Sequence, residues 1–215
     1  VDIGFSSVKG MSPNKRFCFP SYVKKMDNNL MSVDEDDIYY RDESGVYLIG
    51  TKAQDLVRTD DTNDTDSSFD RNRYYTKEFA IMARTAVAIG LMDNEERKFE
   101  PQFKPAVQTG LPAAYLKEDA PKIKAAFTQP GIYEVRLGSG KWMRFENTLK
   151  NGDVNVMSQP AGTLNSIMFN DDGERVDDAK DLMSKNIIVA DIGFGTFDPY
   201  GIINRKKALE ESINN

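Results

Sequence analysis

The sequence ADIGF at residues 190–194 repeats VDIGF at residues 1–5, and only the first letter differs. The second copy closes an apolar run, residues 186–190, that is typical of a strand. We expect the first copy to follow a strand in the same way, with most of that strand missing from this chain. A single Asp-x-Gly is equally well explained as an ordinary turn. The pair, in equivalent contexts, favours a shared function for the two loops.

Loops of this composition are suited to binding phosphate. A glycine at the turn lets backbone N–H groups approach an anion without a Cβ in the way. An aspartate repels phosphate directly, but it becomes useful when Mg²⁺ and its waters lie between the two groups. Two such loops facing each other would hold a polyphosphate and its metal ion. Lys9 adds a positive charge for phosphate, although an ordinary surface lysine is the competing interpretation.

Composition excludes several classes of chemistry. The 215-residue chain has no histidine, which excludes Ser-His-Asp and Cys-His catalysis and histidine metal sites within it. Its net charge of −6 argues against a broad basic surface for DNA phosphates. The single Cys18 excludes an internal disulfide and indicates a reducing compartment. Its neighbours Phe17 and Phe19 predict that the thiol is buried.

Neither a membrane segment nor a secretion signal is recognisable. No apolar run approaches the roughly 20 residues that a membrane-spanning helix needs. A basic region followed by an uninterrupted apolar stretch is also missing from the sequence. We therefore expect a cytoplasmic protein without a membrane partner.

Helix and strand patterns intermix along the chain, which predicts an α/β or α+β class. Residues 45–50 predict a strand, and residues 132–146 predict a β-hairpin around a Gly-Ser-Gly turn. The clearest helix pattern covers residues 75–91, with one apolar stripe. The polar stretches 26–44 and 59–73 are predicted to be surface loops.

Four motifs resemble those of a known family. Residues 2–9, DIGFSSVK, resemble the first phosphate motif of the actin, Hsp70 and sugar-kinase superfamily, and residues 191–198, DIGFGTFD, resemble its second. Residues 107–112, VQTGLP, are similar to a strand-end motif of ParM-like proteins, and residues 156–164, VMSQPAGTL, resemble the connecting motif. Since the motifs occur in family order over essentially the whole chain, the chain resembles bacterial actin-like plasmid-segregation proteins of the ParM/StbA type.

This resemblance implies an actin-like, ribonuclease-H-like α/β fold, with a mixed five-stranded sheet flanked by helices. Residues 1–185 would form the first lobe with an inserted small subdomain, and residues 186–215 would begin the second lobe. The family's remaining half, with its adenosine-contacting motif, is absent from this sequence. Phe5 departs from the family pattern, because many actins carry a small or polar residue there.

The resemblance also implies a function and roles for individual residues. The protein would be a nucleotide-dependent filament protein that hydrolyses ATP or GTP with Mg²⁺ and segregates plasmid DNA. Asp2 and Asp191 would orient Mg²⁺-bound waters, and Gln159 and Asp191 would position the attacking water. A polar residue that caps the following helix is the competing interpretation of Gln159. The residues implied to bind the nucleotide phosphates are Gly4, Ser6, Ser7, Lys9, Gly193, Phe194, Gly195 and Thr196.

The implied partners are further copies of the chain in a head-to-tail filament, and a small DNA-binding adaptor at a centromere-like plasmid site. No base-reading motif is recognisable, so no direct base-specific DNA contact is expected. Two alternatives remain open. One is a small-molecule kinase of the same superfamily, with a hydroxyl substrate near Gln159. The other is a truncated, non-catalytic interaction module.

Overall fold

The computed structural model describes residues 1–13, 15–26, 33–60, 71–92, 105–170, 172–193, 196–204, 206–210 and 213–214. The chain divides into two compact units. Unit 1 comprises Val1–Val107 and Lys122–Asn155, and unit 2 comprises Gln108–Pro121 and Val156–Asn215. The predicted lobes, residues 1–185 and 186–215, are continuous in sequence, whereas each of these units combines two separate segments. The lobe boundary after residue 185 stays a prediction. Among the described helices, none is both long and apolar enough to span a bilayer.

Fourteen strands and five α-helices make up the described structure. The strands are β1 (Asp2–Ile3), β2 (Ser7–Ser12), β3 (Lys15–Pro20), β4 (Val23–Lys25), β5 (Ile38–Asp42), β6 (Gly45–Ile49), β7 (Val107–Leu111), β8 (Gly131–Leu137), β9 (Met143–Asn147), β10 (Val154–Ser158), β11 (Ile187–Ile192), β12 (Thr196–Ile203), β13 (Lys206–Glu210) and β14 (Ile213–Asn214). The helices are α1 (Thr51–Asp60), α2 (Lys77–Leu91), α3 (Leu116–Thr128), α4 (Gln159–Met168) and α5 (Ala179–Leu182).

The first sheet of unit 1 consists of β1, β2 and β3, all antiparallel. Val8 lies opposite both Ile3 and Phe19, and all three side chains are buried. Helix α2 packs against β2 and β3. Cys18 is exposed, so the prediction of a buried thiol is wrong. Its neighbour Phe19 takes the buried face, and alternation along a strand turns Cys18 to the opposite face.

The second sheet of unit 1 has five antiparallel strands in the order β4-β6-β5-β8-β9. On one face, Tyr39 and Leu48 pack with Ala53 of α1. On the other face, the hydroxyl of Tyr40 accepts a hydrogen bond from Arg84 of α2. Strand β5 lies in the stretch 26–44, so the prediction of a continuous loop there is wrong. The predicted hairpin is confirmed as β8 and β9.

Helix α2 confirms the clearest helix prediction, although it is buried more widely than one stripe. Thr76 is its N-cap, and the Thr76 Oγ1 accepts a hydrogen bond from the Phe79 amide at 3.2 Å. Beyond the apolar stripe, Arg84 and Thr85 are also buried. Strands of both unit 1 sheets contact this helix, which explains why residues outside the apolar stripe are also buried.

Most residues of the remaining ladders belong to unit 2. Strands β7 and β10 form a two-stranded pair, and β12 pairs antiparallel with β11, β13 and β14. Helix α4 packs against β11. The β1-β2-β3 and β7-β10 ladders are thus separate among the described residues. The five strands that share one sheet are those of the antiparallel β4-β6-β5-β8-β9 ladder.

Candidate functional site

The first DIGF copy forms a tight hairpin in unit 1. Strand β1 pairs with β2 so that Asp2 lies opposite Lys9, and Ile3 lies opposite Val8. Directly opposed residues of an antiparallel pair share one face of a sheet. Ile3 and Val8 are buried, which puts Asp2 and Lys9 together on the other face. The structure therefore brings these two predicted site residues side by side.

Gly4 closes this hairpin. Its amide donates a hydrogen bond to the Ser7 carbonyl oxygen at 3.0 Å. A Cβ on residue 4 would lie only 3.0 Å from the same oxygen, closer than ordinary van der Waals contact. Glycine therefore allows the close approach of the two strands. In the same loop, Ser6 is exposed and Ser7 is half-buried.

Arg73 contacts this hairpin, although the sequence placed it in a surface loop. Its Nη2 donates hydrogen bonds to the carbonyl oxygens of Ile3 at 2.7 Å and of Gly4 at 3.0 Å. The residue is only 6% exposed, so the loop prediction is wrong at this position. Burial lowers the pKa of Arg73 to about 10, while the charges of Tyr74 and Asp2 act to raise it. The guanidinium is therefore still charged at neutral pH.

The second DIGF copy forms a hairpin in unit 2. Strands β11 and β12 pair so that Asp191 lies opposite Asp198, and Ile192 lies opposite Phe197. Asp191 is half-buried, and Asp198 is only 3% exposed. Gly193 begins the connecting loop. Phe194, Gly195 and the side chain of Thr196 lie outside the described residues.

The two hairpins have the same register. In each one, the aspartate lies opposite the residue seven positions later, and the isoleucine lies opposite the residue five positions later. The two copies therefore share both four letters of sequence and the register in which their strands pair. The environments differ, because Ile3 is 8% exposed whereas Ile192 is 77% exposed. The position of Lys9 is taken by Asp198 in the second copy.

Asp191 and Asp198, which lie opposite each other in the second hairpin, are candidate ligands for a metal ion. Like charges directly opposite each other destabilise a strand pair. A hard divalent cation with oxygen ligands would offset that repulsion, so the chemistry of Asp191 and Asp198 fits Mg²⁺. Among the described residues, no group of three or more acidic, cysteine or histidine side chains is placed to hold a metal ion.

Gln159 is the first residue of α4. Ser158 occupies the N-cap position and makes no side-chain cap hydrogen bond. Gln159 is therefore not the N-cap residue itself. A Cβ on Gly110, at the end of β7, would lie 3.0 Å from the Gln159 Cγ. The TGLP strand end and the start of α4 are thus in close contact.

The structure distributes the predicted site residues over the two units. Unit 1 holds Asp2, Gly4, Ser6, Ser7 and Lys9 in one hairpin. Unit 2 holds Gln159 on α4 and Asp191, Gly193 and Thr196 at the second hairpin, and α4 packs against β11. The phosphate, metal and water roles of these residues remain predictions.

Known structures resemble the chain over its whole length. A 15-stranded ParM filament from Clostridium botulinum matches with a TM-score of 0.68 and 18% identity, over 99% of this chain and 62% of that chain. The actin-like protein Alp7A matches with a TM-score of 0.67 and 17% identity, over 100% and 59%. An AlfA filament bound to AMPPNP matches with a TM-score of 0.54 and 15% identity, over 99% and 68%.

These likenesses confirm the predicted actin-like α/β fold. The chain spans about three fifths of the length of the ParM and Alp7A chains. No curated protein sequence matches the chain. A family model described as the N-terminal domain of actin-like proteins matches residues 1–162, which is most of the chain. The chain therefore belongs to the actin-like protein family, of which it carries the N-terminal domain.

Proposed function

We propose that this protein is a nucleotide-dependent filament protein that hydrolyses ATP or GTP with Mg²⁺ and drives the segregation of plasmid DNA. The observation that carries the proposal is the common register of the two DIGF hairpins. Two loops that share the DIGF letters and the register of their strand pairing are suited to the same task, and their composition fits phosphate. The names of similar structures, a ParM filament and an AlfA filament bound to AMPPNP, support it.

In the first hairpin, main-chain N–H groups, the Ser6 and Ser7 hydroxyls and Lys9 would bind phosphate oxygens. Gly4 lets the loop be tight enough for that approach. In the second hairpin, Gly193, Phe194, Gly195 and Thr196 would do the same. Asp2 and Asp191 would hold waters of a bound Mg²⁺, which supplies charge neutralisation for the phosphates.

Gln159 would hold the attacking water. A side-chain amide is not a strong base, but it orients a water by donating one hydrogen bond and accepting another. Phosphoryl transfer depends largely on positioning and electrostatics, so alignment supplies much of the rate. The glycine at position 110 is compatible with this role, because a Cβ there would lie 3.0 Å from the Gln159 Cγ and would crowd the side chain.

Filament growth would follow from head-to-tail contacts between copies, which extend without closing into a ring. The action on DNA would be indirect, through a small basic adaptor at a centromere-like site, since a net charge of −6 offers little counterion release on direct binding. Cytoplasmic localisation in a bacterium belongs to the same proposal.

The experiment is a titration of the intact protein with fluorescent ATP and GTP analogues in the presence of Mg²⁺. Asp191→Ala is compared with wild type and with Asp177→Ala, a control that removes an exposed carboxylate elsewhere in unit 2. Asp191→Ala is expected to weaken binding at least about tenfold, because it removes a charged group that orders the metal's waters. Equal affinity and equal hydrolysis in all three proteins would contradict the proposal.

A further inference from the structure

The carbonyl oxygens of the first hairpin's loop are held by two residues that lie outside the hairpin. Arg73 binds the carbonyl oxygens of Ile3 and Gly4 at 2.7 and 3.0 Å. The Ser21 hydroxyl donates a second hydrogen bond to the Gly4 oxygen at 2.8 Å. The Ser21 amide donates to the Ser6 oxygen at 3.0 Å. These contacts fix the carbonyl groups of Ile3, Gly4 and Ser6.

Fixing these oxygens also fixes the direction of the amide groups that follow them. A peptide bond is planar and trans, so the N–H of each residue points away from the preceding carbonyl oxygen. The Phe5 N–H is therefore directed away from Arg73 and from the Ser21 hydroxyl, and the Ser7 N–H is directed away from the Ser21 amide. Successive main-chain N–H groups of a turn can form a concave anion site. The Gly4 N–H is not one of them here, because it donates to the Ser7 oxygen.

Arg73 itself packs against two aromatic rings. Its guanidinium carbon lies 4.5 Å from the ring centre of Phe5 and 5.2 Å from that of Phe79 on α2. A cation over an aromatic face is stabilised by the ring, and more strongly so when it is desolvated. Phe5, which departs from the family's small or polar residue, thus packs onto the guanidinium. The loop is tied through Arg73 to the main helix of unit 1.

We propose that Arg73 is a positioning residue of the first phosphate-binding hairpin. By holding the Ile3 and Gly4 carbonyl oxygens, together with Ser21, it keeps the loop amides in the orientation that a nucleotide phosphate requires. The inference rests on the proposed function for the identity of the ligand. The ordering of the hairpin by Arg73 does not depend on it.

Arg84 offers a matched control. It is also a buried arginine of unit 1, at 9% exposure, and it also donates to two main-chain carbonyl oxygens. Those acceptors are Gln129 at 3.1 Å and Pro130 at 3.2 Å, and neither belongs to a DIGF hairpin. Arg84 also donates to the Tyr40 hydroxyl and lies 3.9 Å from the Asp42 carboxylate. Arg84→Met therefore removes a buried arginine with two carbonyl acceptors, as Arg73→Met does, together with these further contacts. Arg73→Lys keeps the charge and a donor nitrogen, and it serves if the Met variant does not fold.

Two measurements are made on the intact proteins. The first is hydrogen exchange of residues 1–9 without nucleotide, and the second is the affinity for a fluorescent Mg-ATP or Mg-GTP analogue. Arg73→Met is expected to speed exchange in residues 1–9 and to weaken nucleotide binding, each by about tenfold or more, since it removes two charge-assisted hydrogen bonds. Arg73→Lys is expected to fall between wild type and Arg73→Met. Arg84→Met is expected to leave both readouts near wild type.

Equal effects of Arg73→Met and Arg84→Met on both readouts would overturn the proposal, because Arg73 would then contribute only to general stability. Wild-type nucleotide affinity in Arg73→Met would overturn it as well. A wild-type protein that binds neither analogue would instead reject the proposed function. The exchange of residues 1–9 would then still decide whether Arg73 orders the hairpin.

Discussion

Gly110 and Gln159 come from motifs almost fifty positions apart, yet they touch. A Cβ on Gly110 would lie 3.0 Å from the Gln159 Cγ and 3.8 Å from the Met157 carbonyl oxygen. Any side chain larger than hydrogen at position 110 must push the glutamine away. The lack of space for a Cβ is the physical reason for a glycine at position 110, beside the residue with the proposed water-positioning role.

Gly110→Ala is therefore expected to slow nucleotide hydrolysis in the same direction as Gln159→Ala. Loss of a water-positioning group costs about 10²-fold or more in rate, and a displaced glutamine should lose part of that. The matched control is Gly162→Ala on α4, where a Cβ meets nothing within 4 Å. That change should stabilise the fold by up to about 1 kcal/mol and leave hydrolysis unaltered. Single-turnover hydrolysis and chemical denaturation measure the two effects, and normal hydrolysis by Gln159→Ala would remove its proposed role.

Single residues were predictable where the sequence repeats itself. The second copy of the DIGF letters pointed to Asp2 and Asp191, and the structure places both at hairpins of one register. Arg73 was not predictable, because its partners lie about seventy positions away. Its polar neighbours in residues 59–72 also gave no sign that one arginine is buried.

Among the secondary-structure elements, β5 shows how charge conceals a strand. Asp37 precedes the strand and is 6% exposed, and its carboxylate accepts hydrogen bonds from Lys52 at 2.8 Å and Tyr39 at 2.9 Å. The start of β5 is thereby tied to α1. Burial alone would raise the pKa of Asp37, but the hydrogen bonds from Lys52, the Asp34 amide and Tyr39 outweigh it and lower the pKa.

The lowered pKa of Asp37 predicts a pH dependence of stability. Since the carboxylate is favoured in the folded state, its contribution is present above the unfolded pKa of about 4 and is lost as the pH falls through the folded value. Asp37→Asn should lower the free energy of unfolding by about 1–3 kcal/mol at pH 7, and the difference should shrink below pH about 4. Asp34→Asn is the control, because its exposed pair with Lys52 should contribute about 1 kcal/mol or less. Urea unfolding of wild type and both variants at pH 7 and below pH about 4 tests this. The prediction would be contradicted if the difference in unfolding free energy between wild type and Asp37→Asn were the same at both pH values.

Elements with short-range patterns were predicted well, and those defined by long-range pairing were not. The hairpin β8–β9 and helix α2 follow from local alternation and periodicity. Strand β5 is central in its sheet, between β6 and β8, and β8 lies about ninety positions away in sequence. The acidic residues on either side of β5 favoured a loop prediction. The structure shows that one of them, Asp37, forms an ion pair with Lys52 of α1.

At the scale of the whole molecule, an assembly assay separates the three candidate functions: filament protein, small-molecule kinase and interaction module. With Mg-nucleotide, light scattering by the intact protein should rise only above a threshold concentration, and electron microscopy should show filaments. A small-molecule kinase would consume nucleotide with an acceptor substrate but without scattering, and an interaction module would do neither. Bare DNA should not be shifted in a gel at physiological salt, because the chain carries a net charge of −6. Tight binding to bare DNA without filaments would contradict indirect action.

The fold class of the molecule was predictable because four motifs stand in family order, and the match over residues 1–162 confirms it. The pairing of strands within each sheet could not be predicted from the sequence in the same way. Which strands share a ladder depends on contacts between distant segments, and a single sequence carries no record of them.

Isothermal titration calorimetry of the intact protein with ATP and GTP, with Mg²⁺ and with a chelator, is the most direct measurement. Because the proposed function requires a nucleotide held through its phosphates and Mg²⁺, at least one of the two nucleotides should bind at one per chain. Affinity should fall by about tenfold or more when Mg²⁺ is removed. Absence of binding by both nucleotides, binding at two per chain, or binding unaffected by the chelator would contradict the proposed function.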